Sequence, residues 1–215
     1  MHSPPFDVHF ELDGWTLFWA MLELESTSTD SMLTLTRDIA NRVRRELRLE
    51  TLSEHPTAAG LRRLFRAAGC DPTRYRPSSE ALLRRLLKGE EMPTIHPLVD
   101  LNNCLSASLV VPCCVMAEDA LSPPFIFRAG KPGESYESLR GAFNLEGKPL
   151  LADDRGPCDA PITGGQRVKV TADTRRAWLV AYLPTDVVKP EAVEQRLMEL
   201  LAAAPVARVH LTAAT

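Results

Sequence analysis

The sequence lacks a long hydrophobic run. Its longest apolar stretches, LSASLVVPCC among them, reach about ten residues, against the roughly 20 that a membrane-spanning helix needs. No such helix and no membrane partner are expected. Absent too is a basic segment leading into an apolar core near the start, which reads MHSPPFDVHFELDG. A secretory signal is therefore not expected. Cysteine is sparse, with Cys70, Cys104, Cys113, Cys114 and Cys158 only. The odd count, the adjacent pair and the lack of any CxxC argue against a disulfide framework or a zinc site. Thiols used this way fit a reducing compartment, and the cytoplasm is the expected location. GxGxxG, GxxxxGK[ST], HExxH and GxSxG are all missing, so dinucleotide, P-loop, zincin and α/β-hydrolase chemistry lack their signatures. His2, His9, His55, His96 and His210 show no ligand spacing. No metal and no cofactor is expected.

What is present suits a globular chain of one or two domains. There are 215 residues, 45% of them hydrophobic and 25% charged, enough to bury a sizeable core. The net charge of -3 hides an asymmetry. Residues 35–90 carry 13 Lys+Arg against 7 Asp+Glu, while the remainder carry 12 against 21. A segment of positive charge on an acidic chain reads either as a footprint for a polyanion or as the solvated faces of Arg-rich helices.

The pattern of apolar residues predicts the elements. Phe6, Val8 and Phe10 alternate with Asp7, His9 and Glu11, the mark of a strand with one buried face. Asp13-Gly14 is a turn signal. WTLFWAMLEL, rich in aromatics, leans toward a second strand. STSTDS at 26–31 is a loop supplying N-caps. Helices are predicted over 31–48 and 57–69, and from a Ser78 or Ser79 cap to Gly89, with Ala81, Leu82, Leu86 and Leu87 turned inward. A helix follows from near Leu98. Strands are predicted at 125–130, 148–154, 167–174 (ending in a capped turn) and 175–184, with KPGESYESLRG as a turn-rich excursion. Pro190 opens a last helix, and VARVHLTA forms a last strand. The absence of regular βαβ alternation predicts an α+β fold, with a helical N-terminal part packed on a mixed β-sheet.

Three short features carry local chemistry. Asp100, Asn102 and Asn103 lie on an apolar helix, where they either grip a polar ligand or make capping and turn bonds. Cys113-Cys114 follows Pro112 and reads as buried thiols or as a nucleophile awaiting a base. Gly164-Gly165 in ITGGQ either lets the backbone approach a ligand or forms a hairpin turn.

Two longer stretches carry a resemblance. YRPSSEALLRRLLKGEEMPTIHPLVDLNN (75–103) and GPCDAPITGGQRVKVTADTRRAWLVAYLP (156–184), with FIFRAGKPGESYESLRG between them, are similar to free-standing B3/B4-domain proteins. These are relatives of the tRNA-binding and editing B3/B4 region in the beta subunit of phenylalanyl-tRNA synthetase. The likeness covers roughly residues 55–185 and assigns 55–215 to a B3/B4-like domain, with 1–54 supplying a strand and a helix to the same fold. It implies a pocket between the Asn-rich helix and the Gly-Gly loop. Matched position by position, Asn103, Gly164 and Gly165 agree with the family pattern. Asn102 stands for a threonine, Cys114 for the editing histidine, Pro161 for a glycine and Val180 for an acid. The histidine and the acid serve recognition or hydrolysis of misattached tyrosine, so tyrosine editing loses its support here.

The resemblance implies tRNA or aminoacyl-tRNA as partner, with hydrolysis of a misacylated tRNA as the enzyme activity in question. Asn102, Asn103, Cys114, Thr163, Gly164 and Gly165 are the expected substrate contacts. Asn103, Thr163 and the nearby amides would face a tetrahedral oxyanion. Arg62, Arg63, Arg84, Arg85 and Lys88 are the expected RNA contacts. Two alternatives stand beside this: a binding module for a small amino-acid-like ligand without chemistry, and a thiol enzyme using Cys114.

Overall fold

The computed structural model describes residues 3–26 and 30–215. In chain order the elements are β1 (Val8–Phe10), β2 (Trp15–Leu24), α1 (Asp30–Glu46), α2 (Pro56–Ala67), α3 (Ser78–Leu87), α4 (Pro97–Leu109), β3 (Cys113–Ala117), β4 (Phe125–Ala129), β5 (Ser135–Ser138), β6 (Gly141–Asn144), β7 (Pro149–Asp153), β8 (Gly156–Ala160), β9 (Thr163–Gly164), β10 (Arg176–Pro184), α5 (Pro190–Ala203) and β11 (Ala207–Ala214). The fold is α+β. Residues 27–29 of the STSTDS segment lie outside the described residues, and Asp30 and Ser31, expected in a loop, already belong to α1.

Two sheets stack. One has the order β11-β2-β10-β3, the other β1-β4-β7-β8-β9, and β5 and β6 form a separate hairpin. The β1–β4 pair is parallel and the rest of that sheet is antiparallel. Strand β2 explains why its sequence does not alternate. Trp15, Leu17, Trp19 and Met21 enter the core between the sheets, while Phe18, Ala20 and Leu22 enter the core beneath the helices. A strand covered on both faces reads as a continuous apolar run. Strand β10 does the same, with Trp178, Val180 and Tyr182 on one side and Leu179, Ala181 and Leu183 on the other. Phe6 closes the inter-sheet core, its ring 5.0 Å from Trp19 and 5.1 Å from Trp178, edge to face. Helices α1, α3, α4 and α5 contribute Ile39, Leu83, Leu101 and Leu197 to the outer core.

Several local expectations are corrected. Residues 167–174 form no strand. A single 3-10 turn spans Gln166–Val168, because Val168 drops into the inter-sheet core and Val170 packs on the other one. The turn that follows is as expected, with Thr171 N donating to Thr174 Oγ1 at 2.9 Å. The excursion at 131–141 contains strand β5, paired with β6. Neither Ser78 nor Ser79 caps α3. Pro77 precedes the helix without a side-chain cap, and the Ser78 amide donates instead to the Pro161 carbonyl at 2.9 Å. That bond ties the start of α3 to the β8–β9 turn. Ala81 and Leu82 are only half-buried, and Leu83 takes the core position.

Candidate functional site

Helix α4 and strand β3 build one wall of a cleft. His96 caps α4, its Nδ1 accepting from Leu98 N at 3.2 Å, and Asp100 Oδ1 accepts from Ile95 N at 2.9 Å. Asp100 is thus consumed in a turn, as Asp commonly is near a helix start. The chain leaves α4 through Val110, whose φ of 61° is left-handed, a costly conformation for a β-branched residue. Ser106 Oγ donates to the Val111 carbonyl at 2.7 Å and holds the exit. Strand β3 then begins with Cys113 and Cys114 side by side with α4.

The opposite wall comes from the β8–β9 turn and the β5–β6 hairpin. The cleft measures ≈ 710 Å³, within the range of about 300–1,000 Å³ usual for ligand sites. Asn102, Asn103, Cys114, Thr163 and Gly164 all line it. Gly165 does not. A Cβ there would lie 2.2 Å from the Cys158 carbonyl and 3.1 Å from the Tyr136 ring. The expected hairpin turn falls three residues earlier, at 161–162, and Gly164 is already paired with Asp159 in the ladder. Gly165 is needed for a close crossing of the chain over itself.

The floor holds a group that the sequence reading passed over. Asp159 on β8 lines the cleft and is 0% exposed. Its Oδ2 accepts from the Tyr182 hydroxyl, while Oδ1 has no hydrogen-bond partner. The Cys114 thiol lies beside it. Burial pushes the Asp159 carboxyl up to about 7, against the Tyr182 bond and the nearby Cys114 thiol and Ala160 amide, which favour the ionised form. Asn102, 6% exposed, repeats the motif. Its Nδ2 donates to the Cys113 carbonyl at 3.4 Å and its Oδ1 is left without a donor. Nine in ten buried polar groups are paired, and each orphan costs about 1–3 kcal/mol. Two orphaned acceptors in one cleft are a site awaiting donors.

The same electrostatics oppose a thiolate. Burial first, and then the Asp159 carboxylate, push the Cys114 thiol well above its ordinary value, whereas a reactive cysteine needs a lowered one. Tyr136, whose hydroxyl donates to the Thr163 carbonyl, is raised by burial and by Asp159 as well. Val180, where the family pattern has an acid, is fully buried and opposite Cys114 in the sheet. An acid does reach this corner, but from β8. Nothing local in GPCDA marks Asp159; only the pairing of β8 into the sheet buries it.

Arg140 and Lys169 line the cleft, are exposed, and make no ion pair among the described residues. Exposed apolar side chains flank them, Ile95 at 68% and Leu139 at 56%. The sequence-expected RNA contacts lie on or near α2 and α3, and most are engaged. Arg62 Nε and Arg84 Nε reach the Glu80 carboxylate at 2.9 and 3.2 Å, and Glu80 is only 1% exposed. Both arginines compensate a buried acid, which would be costly unpaired. Arg63 pairs with Asp186 at 3.2 Å and Arg85, on the cleft, with Glu90 at 2.8 Å. Lys88 is exposed at the end of α3. Among the described residues no helix is long and apolar enough to cross a membrane, and no three metal-ligating side chains gather.

A family model for the B3/4 domain matches residues 60–199. The fold is similar to the crystal structure of an N-terminal fragment of the phenylalanyl-tRNA synthetase beta-subunit from Pyrococcus horikoshii. The TM-score is 0.51 and the identity 16%, covering 97% of this chain and 51% of that one. The chain spans about half of that fragment, and at this identity the likeness is one of fold. No curated protein matches the sequence.

Proposed function

The chain belongs to the B3/4-domain family, and from that premise we propose that its cleft receives the aminoacyl end of a tRNA. The observation that carries the reading is the division of the cleft. Orphaned acceptors stand on the floor at Asp159 and Asn102, and uncommitted cations stand on the wall at Arg140 and Lys169. Free amino acids do not need ≈ 710 Å³. A terminal adenosine with its acyl group uses more of that space, and its phosphate is matched by Arg140 and Lys169. The reading places the chain in a reducing cytoplasm. Whether the bound ester is then hydrolysed depends on a positioned water and donors for the oxyanion; Asn103 and Thr163 line the cleft where those donors are needed.

Binding of bulk tRNA at low and moderate salt, by wild type and by Arg140→Glu/Lys169→Glu, tests this. Each phosphate contact on a single strand contributes about 0.7 to the log–log salt slope. Loss of two should weaken binding and flatten the slope by about 1.4. Unchanged binding by the double variant would remove the proposed RNA end from this cleft. The second reading, a binder of free amino-acid-like ligands without chemistry, is favoured by one observation: Cys114 and Val180 stand where the family pattern has its histidine and acid. It predicts thermal stabilisation by an amino acid alone, about 2.7 kcal/mol at a hundredfold excess over Kd, with no tRNA binding.

A further inference from the structure

We infer that the floor of the cleft is a subsite for a primary ammonium group, so that the ligand turns its amine inward onto Asp159 and Asn102. This deepens the proposed function and rests on it.

The floor offers acceptors and no free cation. Asp159 Oδ1 and Asn102 Oδ1 are buried, line the same cleft and lack donors. The orientation of the Asn102 amide follows from its neighbour. Nδ2 faces the Cys113 carbonyl, and the reverse orientation would set oxygen against oxygen. Acceptors so placed repel a carboxylate or a phosphate. A hydroxyl brings one donor, whereas an ammonium brings three, together with the charge that a carboxylate in a dry site lacks.

The groups facing Asp159 confirm that lack. They are Tyr182 on β10, Cys114 on β3, Cys158 on its own strand and Tyr136 on β5. All are phenols or thiols held neutral by burial. The cations of the cleft, Arg85, Arg140 and Lys169, are exposed. Burial without a counter-charge is also why the Asp159 carboxyl sits near 7. A ligand with an amine at one end and a phosphate at the other is therefore read in one direction, amine to the floor and phosphate to the cations.

Two non-hydrolysable probes separate the possibilities. One is 3′-amino-3′-deoxyadenosine 5′-phosphate carrying a leucyl amide. The other carries the 4-methylpentanoyl amide, which lacks only the amine. Titration calorimetry at pH 7 should show wild type binding the leucyl probe at least tenfold more tightly. In Asp159→Asn, which keeps the shape and an acceptor for Tyr182, the preference should fall to about twofold. In Asn102→Ala it should fall part of the way. Circular dichroism and melting verify that both variants fold. Equal binding of the two probes by wild type would overturn the ammonium subsite and leave the proposed function standing. A preference that survives both substitutions would overturn it too. No binding of either probe at millimolar concentration would sink both.

Discussion

Replacing Asp159 by Asn should make the protein less sensitive to rising pH. The carboxyl titrates near 7 in the folded state and near 3.8 without its surroundings. Between those values the native state holds a proton that the unfolded chain has released. Stability therefore falls as pH rises from about 4 to about 7, and is flat above, where both states are ionised. At 1.36 kcal/mol per unit, the wild type should lose about 3 kcal/mol between pH 5 and pH 8 from this group alone. Asn has the shape of the protonated acid and does not titrate, so the variant escapes that loss. Urea unfolding of both proteins at pH 5 and pH 8 measures it. Taking the difference between proteins cancels His55 and His96, whose values burial lowers in both. The variant's stability relative to wild type should improve by about 3 kcal/mol on going to pH 8. A relative stability that stays constant within about 0.5 kcal/mol would show that Asp159 does not titrate in this window, and the account of the cleft floor would fall with it.

Two further outcomes are expected. Gly165→Ala should cost about 3 kcal/mol in denaturant melts, because the new methyl meets the Cys158 backbone at 2.2 Å. Gly164→Ala comes closest to the flexible end of Leu139, at 3.1 Å, with Asp159 Oδ1 and Cys114 Sγ at an ordinary 3.7 Å, and should cost under about 1 kcal/mol; equal losses would contradict the close crossing. Alkylation of native protein at pH 8 should leave Cys114 labelled far more slowly than in urea, since burial and Asp159 hold it as a thiol. Preferential labelling of native Cys114 would revive the thiol-enzyme reading.

The helices were the readable part of the sequence. Pro190 at the first turn of α5 and Gly69 and Gly89 beyond α2 and α3 are punctuation that acts locally. Short strands were less readable. Strands β5 and β8 hold four and five residues, with Ser, Glu, Gly and Pro among them, and exist because of what they pair with. The valines at 168 and 170 showed the converse, alternating in sequence while serving two different cores. In the candidate site, Asn102, Asn103 and Gly164 could be located because they lie in stretches with a family likeness. Asp159 could not, since its chemistry comes from burial, and its burial comes from strands far away in the chain. The basic count over 35–90 could not show which arginines are already committed. Glu80 draws three arginines, Arg62, Arg76 and Arg84, toward one buried carboxylate.

The placement of β2 bears on how the chain reaches its fold. Residues 15–24 pair with 176–184 on one side and with 207–214 on the other. At about 5–20 residues per second, ribosomal synthesis takes roughly 8–30 s to span the intervening length. Throughout that time a nascent WTLFWAMLEL segment has neither of its ladder partners. Contacts this distant also slow closure once the chain is free. The first strand of the four-stranded sheet is thus made early and completed last, and in the interval its apolar faces are exposed.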